Sequence, residues 1–222
     1  MQATAQSENY QRQSGYFANA KYRHAADPVV AAYAMPKLKY VERHVPLHRS
    51  SVLDVGCGNG VFTLYLKDRC RSVVGVDFSP RMLSENPCRP LLQADAASLP
   101  VPTASFDVAF EANLLHHVDD PQRVVREMAR VARRWVVLVE PNRYNPVMFA
   151  FGLLVKAERG QLRSHAAGQR RLLSSCGLKI VLSICTGMIS QNNTPQSLVP
   201  LLRRFDRRIW FGEYIITIGE KP

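Results

Sequence analysis

The chain has 222 residues, 46% of them apolar, and its 29 lysines and arginines against 18 acidic residues give a net charge of +11. That apolar content excludes disorder as the main state, and the length is that of one domain with room for a sizeable core. No run approaches the ~18 to 20 apolar residues of a membrane span, and the polar opening MQATAQSENYQRQSG lacks the apolar stretch of a signal peptide, so a cytoplasmic protein is expected.

Residues 1 to about 26 are polar with scattered aromatics, Tyr10, Tyr16, Phe17 and Tyr22, and read as an arm rather than a core element. From Asp27 the apolar residues of DPVVAAYAMPKLKYVERHV fall at helical spacing, with Asp27 placed to cap, Pro28 at the first helical position and Pro36 expected to kink or divide the helix. The period then changes. SVLDVG is a buried strand, CGNG a glycine turn and VFTLYLKDRC a helix, and RSVVGVD with SPRMLSEN repeats the strand and helix. RPLLQAD, SFDVAFEAN and RWVVLVEPN are three further strands, the last preceded by the helix DPQRVVREMARVAR. NPVMFAFGLLV is apolar but too short to span a bilayer, RSHAAGQRRLLSSCG reads as a helix, LKIVLSIC as a strand, and RIWFGEYIITIGEKP as the clearest strand of the last third. Alternating strands and helices predict a single α/β domain, a Rossmann-like parallel sheet covered on both faces, with ligands at the carboxyl ends of the strands where the chain order reverses.

The positive charge is uneven. Residues 49–150 carry 12 basic and 11 acidic side chains, whereas residues 151–222 carry 11 and 4. A basic flank is more often a solvated surface than a polyanion site, and the five scattered cysteines, Cys57, Cys70, Cys88, Cys176 and Cys185, form none of the close pairs that hold zinc or an iron cluster. No metal is expected.

The sharpest chemical signal is VLDVGCGNG, where Gly56, Gly58 and Gly60 follow a strand and open a helix. Such a turn lets the backbone approach a nucleotide-like ligand, and Asp77, 21 residues after Gly56 at the end of the second strand, can accept both hydroxyl protons of a ribose. The dinucleotide fingerprint would put a further glycine at position 61, which is Val61. Asp54, two residues before Gly56, would repel a pyrophosphate and anchor a cation. S-adenosylmethionine, with an ammonium, a sulfonium and a ribose but no phosphate, suits Asp54 and Asp77 together.

At this point the sequence resembles the class I S-adenosylmethionine-dependent methyltransferases, and among them the small-molecule type 11 group that includes quinone and sterol methylating enzymes. The resemblance covers about residues 48–142 through VLDVGCGNG, VVGVDFSPRML, QADAASLPVPTASFDVAF and LLHHVDDPQRVVREMARV leading into WVVLVEPN. It implies a seven-stranded, mostly parallel sheet with a reversed final strand. It also implies that Asp54 and the turn Gly56, Cys57, Gly58, Asn59, Gly60 hold the methionine part and Asp77 the ribose. Phe78 would then meet the adenine, Asp95 and Ala96 its amino group, and Glu111, Ala112 and Asn113 the cofactor beside the reacting methyl.

The resemblance divides the chain into an arm and helix over 1–47, a cofactor core over 48–142 and a substrate side over 143–222. The arm is read either as a lid whose aromatic faces suit a sulfonium or as a segment docked on the core. His117, then His116, are the candidate bases for an acidic acceptor proton, although orientation of the acceptor in line with the methyl supplies much of the acceleration without one. Met148, Phe149, Phe151 and Leu153 suit a lipophilic acceptor or pack on the core, and the adjoining Lys156, Arg159 and Arg163 suit shallow contact with a membrane where that segment is exposed.

The expected function is methyl transfer to O, N or C of a small organic acceptor. Its rivals are an RNA methyltransferase with LLRRFDRRIW in its footprint, disfavoured because EANL stands where amino-methylating nucleic-acid enzymes carry Asn or Asp before Pro-Pro and an aromatic, and a non-catalytic partner protein that binds the cofactor. A nicotinamide oxidoreductase is disfavoured by Val61 and Asp54.

Overall fold

The computed structural model describes residues 8–222, with side chains described for Gln13 and from Gly15 onward. Of the arm's aromatics, Tyr10 therefore lies outside the described side chains. Seven strands form one sheet in the order β3-β2-β1-β4-β5-β7-β6. They are β1 Ser51–Val55, β2 Ser72–Asp77, β3 Leu91–Gln93, β4 Phe106–Ala112, β5 Ala132–Pro141, β6 Lys179–Thr186 and β7 Tyr214–Glu220. β1 to β5 pair in parallel, and β7 inserts antiparallel between β5 and β6. This is the α/β sheet with a reversed final strand that the resemblance implied.

The strands lack polar alternation because both faces are covered. Successive residues go to opposite layers: Val52 and Val137 join the core under α2 (Pro28–Glu42) and α3 (Thr63–Lys67), whereas Leu53 and Leu138 join the core under α5 (Pro121–Val131) and α7 (Ala166–Ser175). At about 25 cal/mol per Å² of apolar surface removed from water, these two layers supply the main driving force of folding.

Four helices begin with the same device, a capping side chain followed by proline at the first helical position. Asp27, Ser79, Asp120 and Asn145 accept hydrogen bonds from the backbone of α2, α4 (Pro80–Glu85), α5 and α6 (Pro146–Leu154). These caps place α4 and α6 directly after β2 and β5, on the rim where the strands end.

The arm contains a helix, α1 (Glu8–Asn19), docked against the segment Lys156–Arg163. Three expectations need correction. Helix α2 runs unbroken through Pro36, and α3 is only five residues long because the residues up to Phe62 belong to the glycine turn. The basic run from Leu201 lies at the end of the four-residue helix α8 (Val199–Leu202) and in the turn after it, so it is not one face of a longer amphipathic helix.

Candidate active site

Chain order reverses between β1 and β4, and a cavity of about 860 Å³ opens above their carboxyl ends. Its floor is the turn after β1, in which Gly56, Gly58 and Gly60 have φ of +73°, +50° and +91°. Glycine is required there for more than its dihedral, since a Cβ on Gly60 would lie 2.6 Å from Asn86 Oδ1.

Two carboxylates face this turn. Asp77 accepts hydrogen bonds from the Gly58 N–H (2.9 Å) and the Ser79 N–H (2.8 Å), so both its oxygens are fixed by backbone on either side of the cavity. Asp54, at the end of β1, accepts a 2.6 Å hydrogen bond from the Thr63 hydroxyl and is almost fully buried. Burial pushes its pKa up to about 7, against the opposing Thr63 hydrogen bond and with help from the charge of Asp77.

Cys57, Asn59, Phe78, Asp95 and Ala96 also line the cavity, as do Ala112 at the end of β4 and Asn113 after it. Asn113 holds an unusual φ of +57°, fixed by its N–H to the Val139 carbonyl and by its side chain, which donates to the Tyr33 hydroxyl at 2.7 Å. Glu111 is not brought to the cavity. It is wholly buried beneath, where its carboxyl accepts from the Val139 and Leu114 N–H groups, and burial beside Glu140 raises its pKa. The strand pleat explains this, since neighbours on β4 point to opposite faces.

The histidines differ in state. His116 Nδ1 lies 2.8 Å from Glu140 Oε2 and its Nε2 lies 3.3 Å from Glu158 Oε2. Burial alone would lower its pKa, but the two carboxylates outweigh burial and raise it to about 10, so the ring is an imidazolium at neutral pH. His117 is pushed down to about 4 by burial and by the charge of His116, and its ring meets Phe17 edge-on at 5.0 Å. Of the pair, only His117 is therefore in the form that accepts a proton.

The arm closes one wall. Tyr16 Oη donates to Glu158 Oε1 at 3.0 Å, the Gln13 amide donates to the Ala157 carbonyl, and Phe17 packs between Phe78 and Tyr22. Arg81 on α4 donates to the carbonyls of Phe17 and Ala20, and Asn59 in the glycine turn donates to that of Arg23. Sequence reasoning missed Glu158 and Glu140. Glu158 had a signal, because it is the sole acidic residue between Glu140 and Asp206.

Comparison with known proteins agrees with this geometry. Residues 53–139 match a family model described as a methyltransferase domain. That stretch of the chain is similar to the methyltransferase domain of this family. The match spans β1 to most of β5 and so contains the turn, Asp54, Asp77 and both histidines. The chain is 36% identical over 111 residues to a phosphatidylethanolamine N-methyltransferase of Cereibacter sphaeroides, covering 46% of this chain and 54% of that protein. It is 30% identical over 132 residues to a ubiquinone biosynthesis O-methyltransferase of Nitrosospira multiformis, covering 53% and 54%. The chain thus spans about half the length of these relatives. Among solved structures, a possible histamine N-methyltransferase of Thermotoga maritima superposes with a TM-score of 0.67 at 18% identity, over 87% of this chain and 91% of that one. The magnesium protoporphyrin IX methyltransferase of Synechocystis with bound S-adenosylmethionine superposes with a TM-score of 0.63 at 17% identity, over 99% and 100%. The fold is that of the S-adenosylmethionine-dependent methyltransferases.

Proposed function

We propose that this chain binds S-adenosylmethionine between Asp54, the glycine turn and Asp77, and passes its methyl group to a small acceptor with a lipophilic part. The carrying observation is Asp77, whose two oxygens are fixed by the Gly58 and Ser79 N–H groups at the reversal point of the sheet. The residues fit the cofactor. Asp77 offers a fixed acceptor pair to a ribose diol, Asp54 a buried carboxylate to the ammonium, and the positive-φ glycines a floor without side chains. When bound, S-adenosylmethionine supplies an electrophilic methyl group on a sulfonium. Phe78 takes the adenine face, Asp95 and Ala96 its amino edge, and Ala112 and Asn113 the wall beside the methyl.

The acceptor then lies among Met148, Phe151, His117, Tyr16 and Phe17, which exclude water and orient the nucleophile. His117, neutral, takes a proton where the acceptor must lose one. Among the described residues, Gln13 Oε1 and Gln161 Nε2 are buried along this cavity without a hydrogen-bond partner, and an acceptor with one polar group among apolar atoms would satisfy them. The arm serves as a lid as well as a docked helix.

A lipid surface is the proposed source of the acceptor. Met148 and Phe151 of α6 line the cavity, while Val147, Phe149, Leu153 and Leu154 on its other side are exposed, Leu154 by 84%. Trp210, 75% exposed, is tied to the same rim by the Asn142 side chain, the exposed Lys156 and Arg159 follow α6 directly in the chain, and the exposed Arg207 and Arg208 precede Trp210. An exposed apolar patch with basic residues next to it along the chain fits an anionic membrane interface. The names of the two relatives above, with phosphatidylethanolamine and ubiquinone biosynthesis in them, support an acceptor of this class, and they favour it over RNA or a purely binding role. No helix among the described residues is long and apolar enough to cross a membrane. The test is methyl-labelled S-adenosylmethionine incubated with the chain and a lipid extract. Label moving into the organic phase is expected, and label that stays with the cofactor across lipid, quinone and amine acceptors would overturn the proposal.

A further inference from the structure

The geometry points to a divalent transition-metal site in the acceptor half of the cavity, with His116 Nε2, His117 Nε2 and Glu158 Oε2 as its ligands. These three side chains come from two separate segments and converge at the cavity, with their ligating atoms all within 4.8 Å of one another. Glu158 Oε2 lies 3.3 Å from His116 Nε2 and 4.0 Å from His117 Nε2. An ion about 2.0 to 2.2 Å from each donor needs donors about 3 to 3.5 Å apart, so the side chains are within a small rotation of ligating.

The supporting groups are those a metal site requires. Ligating histidines donate their second nitrogen to a carboxylate, and His116 Nδ1 meets Glu140 Oε2 at 2.8 Å. Glu140 is itself oriented by the N–H groups of Leu115 and His116, and Tyr16 Oη donates to the second oxygen of Glu158. Two imidazoles and one carboxylate with open positions suit zinc, cobalt or iron(II) and not magnesium or calcium, which prefer oxygen. On the reading above, an ion with open positions in the acceptor half would take a hydroxyl or enol oxygen of the acceptor and favour its deprotonated form, in place of proton transfer to His117.

The test uses the full chain, stripped with a chelator and titrated with Co²⁺, then Zn²⁺, with Mg²⁺ as control. One equivalent of Co²⁺ is expected, giving visible bands without thiolate charge transfer and displaced by Zn²⁺. Affinity should fall at least tenfold in Glu158→Gln and in His117→Gln and stay unchanged in His48→Gln, a surface histidine. Absence of saturation, uptake of Mg²⁺ in place of Co²⁺, or unchanged affinity in Glu158→Gln would overturn the site. Should either ligand variant fail to fold, the histidine resonances of the native chain decide, since Co²⁺ must perturb His116 and His117 and not the surface histidines alone. Because the readout is binding, a chain that takes the ion yet transfers no methyl group would contradict the proposed function and leave the site standing.

Discussion

Asp54 and Asp77 occupy equivalent ends of neighbouring strands yet are prepared differently. Asp77 is fixed by two backbone donors, whereas Asp54 has one hydroxyl donor and a pKa pushed up to about 7 by burial. In Asp77→Asn the acceptor pair for a diol is lost, and with hydrogen bonds to charged groups worth about 1.5 to 3 kcal/mol, cofactor affinity should drop by about 10- to 100-fold in calorimetric titration. For Asp54 the sign follows from its raised value. The folded chain keeps this proton between about pH 4 and 7 while the unfolded chain has lost it, so this group's contribution makes stability fall as pH rises through that window. Binding of an ammonium needs the ionised form, so affinity for the cofactor should rise through pH 7 with proton release on binding below it. Titration in two buffers of different ionisation enthalpy measures that release, and Asp54→Asn should abolish it. The place of both aspartates at the cavity was legible in the sequence from their strand-end positions and their spacing to the glycines. The inward turn of Glu111 was not, because the motif alone does not say which face of β4 each residue takes.

At the scale of elements, the segment Lys156–Arg163 decides the acceptor half of the cavity. It brings Glu158 to the histidines, and it can do so only because Gly160 lies against the His116 carbonyl, which a Cβ on residue 160 would overlap. Gly160→Ala should therefore push this segment off the histidine turn, lowering stability by about 1 to 3 kcal/mol in urea denaturation while raising the KM for acceptor more than that for cofactor. Equal changes in both KM values would contradict the division of the cavity. The strands, α2 and α5 were readable from period and capping residues. This segment was not, because eight residues of short 3₁₀ helix have no period, and its one acidic side chain sits among Lys156, Arg159 and Arg163. The arm was obscured likewise, since the hydrogen bonds from Gln13 and Tyr16 that hold α1 to Ala157 and Glu158 reach across more than 140 residues of sequence.

Over the whole molecule, charge and apolarity are segregated. The basic excess lies in the last third of the chain, which also holds the exposed side of α6 and Trp210, while acidic groups gather in the cavity where a sulfonium and an ammonium are to be held. Composition shows the excess but not how α6 and Trp210 come together, because that depends on the β5–β7 pairing and on the Asn142 and Asn145 side chains that tie the start of α6 to residues 210–212. On flotation with vesicles, the chain should bind phosphatidylglycerol-containing membranes and not purely phosphatidylcholine ones. Leu154→Glu should weaken that binding severalfold with cofactor affinity unchanged, whereas equal binding by both proteins would remove the membrane from the account.

The central claim is that the turn between β1 and α3, together with Asp77, holds a sulfur-bearing nucleoside. Calorimetric titration of the purified chain with S-adenosylhomocysteine, with NAD as control, tests it most directly. The account predicts one site of micromolar affinity for the sulfur nucleoside and none for NAD, with the site weakened in Asp77→Asn; heat from NAD alone, or unchanged affinity in that variant, would contradict it.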